Sequence, residues 1–270
     1  NFAWKDARVR IGMRRSINYQ GIAEFLSSKT EFEANGIPVE ISTMTHVHQN
    51  PAYWLNPDTG ELGEAGQNYT FNVAEAKKLM SAAGHNEPVH LPYYVNTTGT
   101  LPDAEQLVFN SLKEAGTFNV DLKQLPANEY RVTINVDGKY DGTQMQRGAS
   151  GNDIDYVLFR DYHSSRIGGV AFPDPKIDAL AEAQRREPDY ERRVAIIKEI
   201  QVYLAQNMLM NPGRSLYTRF SFRWPWLHNT SYNGAALATI TVGQGVARNP
   251  DLGGYRQWLD GAMPNRDRPV

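Results

Sequence analysis

An α/β domain is the fold class that the sequence predicts, on three observations. Two alternating apolar runs flank an amphipathic helical stretch at 102–115, the order of a strand–helix–strand unit. A second helical region follows Pro173, Asp174 and Pro175 and continues, after an interruption at Glu187-Pro188, to residue 206. Between these regular parts runs chain punctuated by Gly, Asn and Pro and rich in aromatics, with 14 Tyr and 5 Trp.

Composition narrows the function classes. At 270 residues, with 41% apolar and 21% charged side chains, the chain can bury a core of one large domain or two small ones. The net charge of −2 argues against a general nucleic-acid binder. Cysteine is absent, which removes disulfides, thiol nucleophiles and thiolate metal sites. No apolar run approaches the length of a membrane-spanning helix. The first residues, with no signal peptide and no initiator Met, read as the middle of structured sequence, so a processed product or a piece of a longer polypeptide is expected.

Residues 6–26 read as one helix capped by Asp6, with Val9, Met13, Ile17 and Phe25 inward. Arg8, Arg10, Arg14 and Arg15 make it basic. The expected reading is a solvated face laced with salt bridges; a lobe–lobe contact or a ligand charge is the alternative. Residues 35–70 have no sustained period and read as a long meander carrying Tyr53, Trp54 and Tyr69. His46 and His48 share a face there if the chain is extended, but no third ligand stands at convincing spacing, and no metal site is expected.

Asn72 with Glu75 three residues on forms a capping-box pattern for a helix over 72–84, ended by Gly84, with Ala76, Leu79, Met80 and Ala83 inward. Val89, Leu91, Tyr93 and Val95 alternate as a strand, residues 102–115 form a helix stopped by Gly116, and Phe118, Val120 and Leu122 alternate again. That order predicts a parallel pair. The 96–101 turn at the first strand's carboxyl end is where open α/β sheets hold ligands, yet it has no phosphate-loop or dinucleotide fingerprint, so no cofactor is expected. Residues 128–136 suit a short helix. Asp174 caps a helix with Pro175 in its first turn and Ile177, Leu180, Ala181 and Gln184 inward. Asp189 caps the next, 190–206, with Tyr190, Val194, Ile197, Ile200 and Leu204 inward. Aromatic residues crowd from Tyr217 to Tyr232, including Trp224 and Trp226.

Residues 138–161 concentrate groups that meet ligands: Gln144, Gln146, Arg147, Ser150, Asn152, Asp153 and Asp155. They read as a strand running into a long polar loop. Tyr162 and Trp224 complete the expected ligand-binding set of Arg147, Ser150, Asn152, Asp153, Asp155, Tyr162 and Trp224. Paired acids such as Asp153 and Asp155 could serve a hydrolase, and Ser164 or Ser165 stands beside His163, but no nucleophile elbow is present and no enzyme is expected.

Four stretches in this order resemble the later half of the extracytoplasmic solute-binding proteins of peptide-type ABC importers, the dipeptide, oligopeptide and nickel class. KDARVRIGMRRSI (5–17) is similar to the family's Asp-x-Arg-Val-Arg-x-Ala helix, with Gly12 where alanine is usual. NVAEAKKLMSAAG (72–84), YDGTQMQRGASGNDID (140–155) and FPDPKIDALAEAQRREPDYERRVAIIKEIQVYLAQ (172–206) resemble the three motifs that follow. The resemblance implies a periplasmic-binding-protein-like second lobe, with a C-terminal return into an incomplete first lobe. Its implied divisions are 1–20 as a hinge-proximal helix, 21–215 as the second lobe and 216–270 as the return. It implies binding of a small solute between lobes and delivery to a permease, in the periplasm or on the outer face of the bacterial membrane. The implied partners are the ligand, the missing first lobe and the permease subunits. Arg147 stands at the family's tryptophan position and Ser150 where dipeptide binders place an aspartate. An arginine there favours a carboxylate, another polar solute or a glycan-like ligand; a structural pair with Asp153 or Asp155 remains the alternative. A protein–protein module is the competing class.

Overall fold

The computed structural model describes residues 3–96, 103–141, 143–144, 153–165, 173–213, 216–217, 227–228 and 258–259. The N-terminal helical region is two helices, not one. Asp6 caps α1 (Ala7–Arg15) by accepting from the Arg8 amide. Asn18 then caps α2 (Tyr19–Leu26), its Oδ1 accepting from the Gly21 amide at 2.9 Å. A side chain that offers the backbone a new start ends the helix before it. Phe25 points outward, 67% exposed. Ser28, in the left-handed region, turns the chain into α3 (Lys29–Ala34).

The meander carries β1 (Ile41–Ser42) and two 3-10 turns, Pro57–Thr59 and Gly63–Tyr69. It then enters α4 (Val73–Ala82). Asn72 accepts from the Glu75 amide at 3.0 Å, but only half of the capping box forms. The Asn72 amide goes to the Arg15 carbonyl and Glu75 pairs with Lys78. The inner stripe of α4 is as expected, with Ala76 and Met80 buried.

The strand–helix–strand unit is present: β2 (Val89–Val95), α5 (Asp103–Ala115) and β3 (Phe118–Gln124). β2 and β3 are parallel, Val89 opposite Phe118 and Val95 opposite Gln124. The expected short helix is α6 (Ala127–Glu129) continued by a π-helical turn, Tyr130–Val136. β4 (Thr143–Gln144) then adds to the other side of β2, again parallel, giving the order β3-β2-β4.

The polar stretch does not stay a loop. Asp153 caps α7 (Ile154–Asp161), with Ile154, Val157, Leu158 and Asp161 buried at helical spacing. α8 (Pro175–Arg186) and α9 (Tyr190–Asn207) follow with their expected caps Asp174 and Asp189. Tyr190 departs from the expected stripe and is 61% exposed. Further on, β5 (Leu216–Tyr217) pairs antiparallel with β1, and β6 (Leu227–His228) with β7 (Trp258–Leu259).

Three apolar clusters hold these elements. One joins α7, α8 and α9 to Val47 and Tyr53 of the meander. Another packs α1, α2 and α5 on β2 and β3. The third lies between them, from Ile11 through Leu62 and Tyr69 to Ala205 and Met208. α1 faces the second cluster with Val9 and Met13 and the third with Ile11, and every residue from Val9 to Arg15 is buried.

Candidate functional site

The basic helix is where structure and sequence expectation differ most. Arg10, Arg14 and Arg15 are buried, not solvated. Arg8, exposed, closes a pair with Asp6 and donates to the Ala82 carbonyl at the end of α4. Arg10 reaches the end of α9: its guanidinium donates to the carbonyls of Asn207 and Met208, and also to those of Trp4 and Lys5. Carbonyls at a helix C-terminus lack partners within the helix and carry its negative dipole end, so a cation there is well placed.

Arg14 is 1% exposed and its guanidinium has no hydrogen bond or ion pair among the described residues; its Nε is buried without a partner. Its guanidinium carbon lies 4.3 Å from the centre of the Tyr19 ring and 5.7 Å from that of Tyr69. Burial pushes its pKa down, with Tyr19, Tyr69 and Asp58 acting the other way; an arginine stays protonated at neutral pH even so. Arg14 lines a cavity of about 340 Å³, together with Tyr69, Gly66, Thr43, Asp58 and Phe71.

His46 sits beside this cavity inside the lobe. Its Nε2 meets the Met210 carbonyl at 2.8 Å, an acceptor only, so Nε2 carries the proton. Nδ1 therefore accepts from the Tyr69 hydroxyl at 2.6 Å. Both ring nitrogens are used, which leaves neither for a metal. Desolvation lowers the His46 pKa to about 3.

Of the expected ligand residues, Arg147, Ser150, Asn152 and Trp224 lie outside the described residues. The other three have structural partners. Asp153 Oδ1 accepts from the Asp155 amide and caps α7. Asp155 takes two bonds from Arg185, at 2.9 and 2.7 Å, and one from the buried Gln184 amide. Arg185 holds its carboxyl below the usual range, the wrong direction for a general acid. Tyr162 is 5% exposed and its hydroxyl donates to the His46 carbonyl, so it serves the core. Ser165 Oγ lies 2.7 Å from His163 Nδ1, but the Ser165 amide shares the same lone pair at 3.1 Å, which makes a tight turn at the end of α7.

The model of the bacterial extracellular solute-binding proteins, family 5 (middle region), matches residues 1–169. The chain belongs to this family. No match was found among curated proteins. Three solved structures show the same fold. AppA from Clostridium difficile has a TM-score of 0.65 at 14% identity, over 95% of this chain and 48% of its own. DppA from Helicobacter pylori, in complex with the peptide STSA, has 0.60 at 14% identity, over 85% and 42%. MoaA from A. tumefaciens R10, in complex with mannopinic acid, has 0.54 at 22% identity, over 79% and 40%. The chain thus spans less than half the length of these solved chains.

For a family 5 chain the sheet has an informative edge. β2 ends at Val95 and β4 at Gln144, neighbouring strands that run the same way. The chain therefore leaves the sheet at its carboxyl edge both before residues 96–101 and before the polar stretch 145–152. Among the described residues no helix is long and apolar enough to cross a membrane.

Proposed function

We propose that this chain supplies the second lobe and the C-terminal return of a two-lobed solute-binding protein. That protein closes on a small polar or anionic solute, such as an oligopeptide, and hands it to an ABC-type permease at the outer face of the bacterial membrane. The family match over residues 1–169 is the observation that carries this reading. The solved relatives bind ligands as different as the peptide STSA and mannopinic acid, which suits a scaffold whose specificity lies in its loops.

In this reading Arg147, Ser150, Asn152 and Trp224 contact the solute. Asp153 and Asp155 anchor the far end of the stretch by starting α7 and fixing it to α8, and Tyr162 ties α7 to the meander. The work is physical: closure is a two-state motion, biased by the solute's greater affinity for the closed form.

Native mass spectrometry of the purified chain, intact and then denatured, tests the reading. A small solute lost on denaturation, or a second polypeptide completing the first lobe, is expected. Arg147→Ala should weaken a carboxylate-bearing solute by about 2–3 kcal/mol, as for truncating one partner of a charge-assisted bond. Unchanged affinity removes Arg147 from the site.

A further inference from the structure

We propose that the cavity lined by Arg14 is a binding site for a small solute that carries a carboxylate, of the charge pattern of an amino acid. The site shares no residue with the 145–152 stretch, so it stands or falls independently of the interlobe reading.

The first ground is the state of Arg14. A charged group that is 1% exposed ordinarily has partners, because an uncompensated buried charge is strongly destabilising. Arg10, on the same helix, has carbonyls on every side. Arg14 has two aromatic rings and an unpartnered Nε. The rings hold the planar fork in place and satisfy none of its N–H donors. Such a fork, fixed before binding, matches a carboxylate.

The second ground is the space. A cavity of about 340 Å³, at the small end of the range for small-molecule sites, has Arg14 in its lining. Its walls offer apolar surface from Ile17 and Phe71.

The third is Asp58. Its carboxylate is anchored by the Thr43 hydroxyl at 2.9 Å and stands exposed at the same cavity, with no ion pair to Arg14. A buried cation and an exposed anion in one lining complement a zwitterion. The same anion disfavours a phosphate dianion, which separates the two anion classes.

Isothermal titration of the purified chain with alanine, propionate, propionamide and inorganic phosphate tests the assignment. Alanine and propionate should bind saturably, alanine more tightly, and propionamide and phosphate should bind more weakly than either. Arg14→Met should weaken alanine and propionate at least about tenfold, the loss expected for one charge-assisted pair, with the far-UV circular dichroism unchanged. Asp58→Asn should erase the advantage of alanine and leave propionate bound no more weakly than before; this arm, with the probe comparison on the unaltered chain, decides the matter even if Arg14→Met does not fold. No saturable binding of alanine or propionate, propionamide binding as well as propionate, phosphate binding best, or binding untouched by Arg14→Met each overturns the proposal.

Discussion

Arg10 and Arg14 lie one turn apart on the same face of α1, both buried, and their surroundings are opposite. Around Arg10, carbonyls of two segments converge, the turn before α1 and the end of α9. Around Arg14 there are ring faces and a cavity. Burial alone therefore does not separate scaffold from site. What separates them is whether the donors of the buried cation are already occupied. Arg10 is a clasp that ties the turn before α1 to the end of α9, and Arg14 is a buried cation whose guanidinium donors are unused among the described residues.

The largest expected effect tests that contrast directly. Arg10→Met should cost about 3–5 kcal/mol of unfolding free energy in urea, because it leaves helix-end carbonyls without partners inside the protein. Arg14→Met should cost less than about 1 kcal/mol or stabilise, since removing an unpartnered buried charge relieves a desolvation penalty. Equal losses would break the contrast and make Arg14 a second clasp.

A smaller effect comes from His46, on the Arg14 side. Folded His46 stays neutral down to a pKa of about 3. Unfolded, it takes up a proton near pH 6.5. The unfolded state therefore binds more protons than the folded one between those limits. Stability is full above about pH 6.5 and falls toward pH 3, by roughly 1.4 kcal/mol per pH unit. Urea unfolding from pH 7 to pH 4.5 reads this slope, and His46→Asn should flatten it. Arg14 itself helps hold the His46 pKa down, so Arg14→Met should raise it, end the fall at slightly higher pH and make the total loss smaller.

These two arginines also mark what the sequence could not disclose. Caps and alternation are local, so Asp6, Asn72, Asp174 and Asp189 started their helices where their letters predicted. The parallel pairing of β2 and β3 followed from a strand–helix–strand order alone. A buried arginine, by contrast, has the same letter as a solvated one. α1 is buried continuously from Val9 to Arg15, so the contrast between a wet and a dry face, on which periodicity rests, is absent from that part of it. α7 was legible in principle: Asp153 precedes Ile154, Val157 and Leu158 at the spacing of a capped helix. Acids that cap and acids that bind look alike, and the polar residues upstream of Asp153 favoured the second reading. The pair of Asp155 with Arg185, thirty positions on, could come only from the packing of α7 on α8.

The smallest expected effect lies between the two arginines. Gly12 faces α4, where an added Cβ would come within 3.0 Å of Met80 Sδ and 3.3 Å of its Cγ. Alanine in place of glycine favours a helix by about 1 kcal/mol, and crowding a packed contact costs about 1–3 kcal/mol. The atoms crowded belong to a flexible thioether, so the lower end of that cost applies. Gly12→Ala should therefore change stability by less than about 1 kcal/mol in urea unfolding. The informative comparison is the same substitution beside Arg10→Met. If the clasp pins α1 and leaves Met80 to give way, releasing the clasp should let the helix shift and should make Gly12→Ala more favourable than in the intact chain. Strict additivity of the two substitutions would mean that α1 is fixed by its apolar faces, and that Arg10 fastens α9 without setting the position of α1.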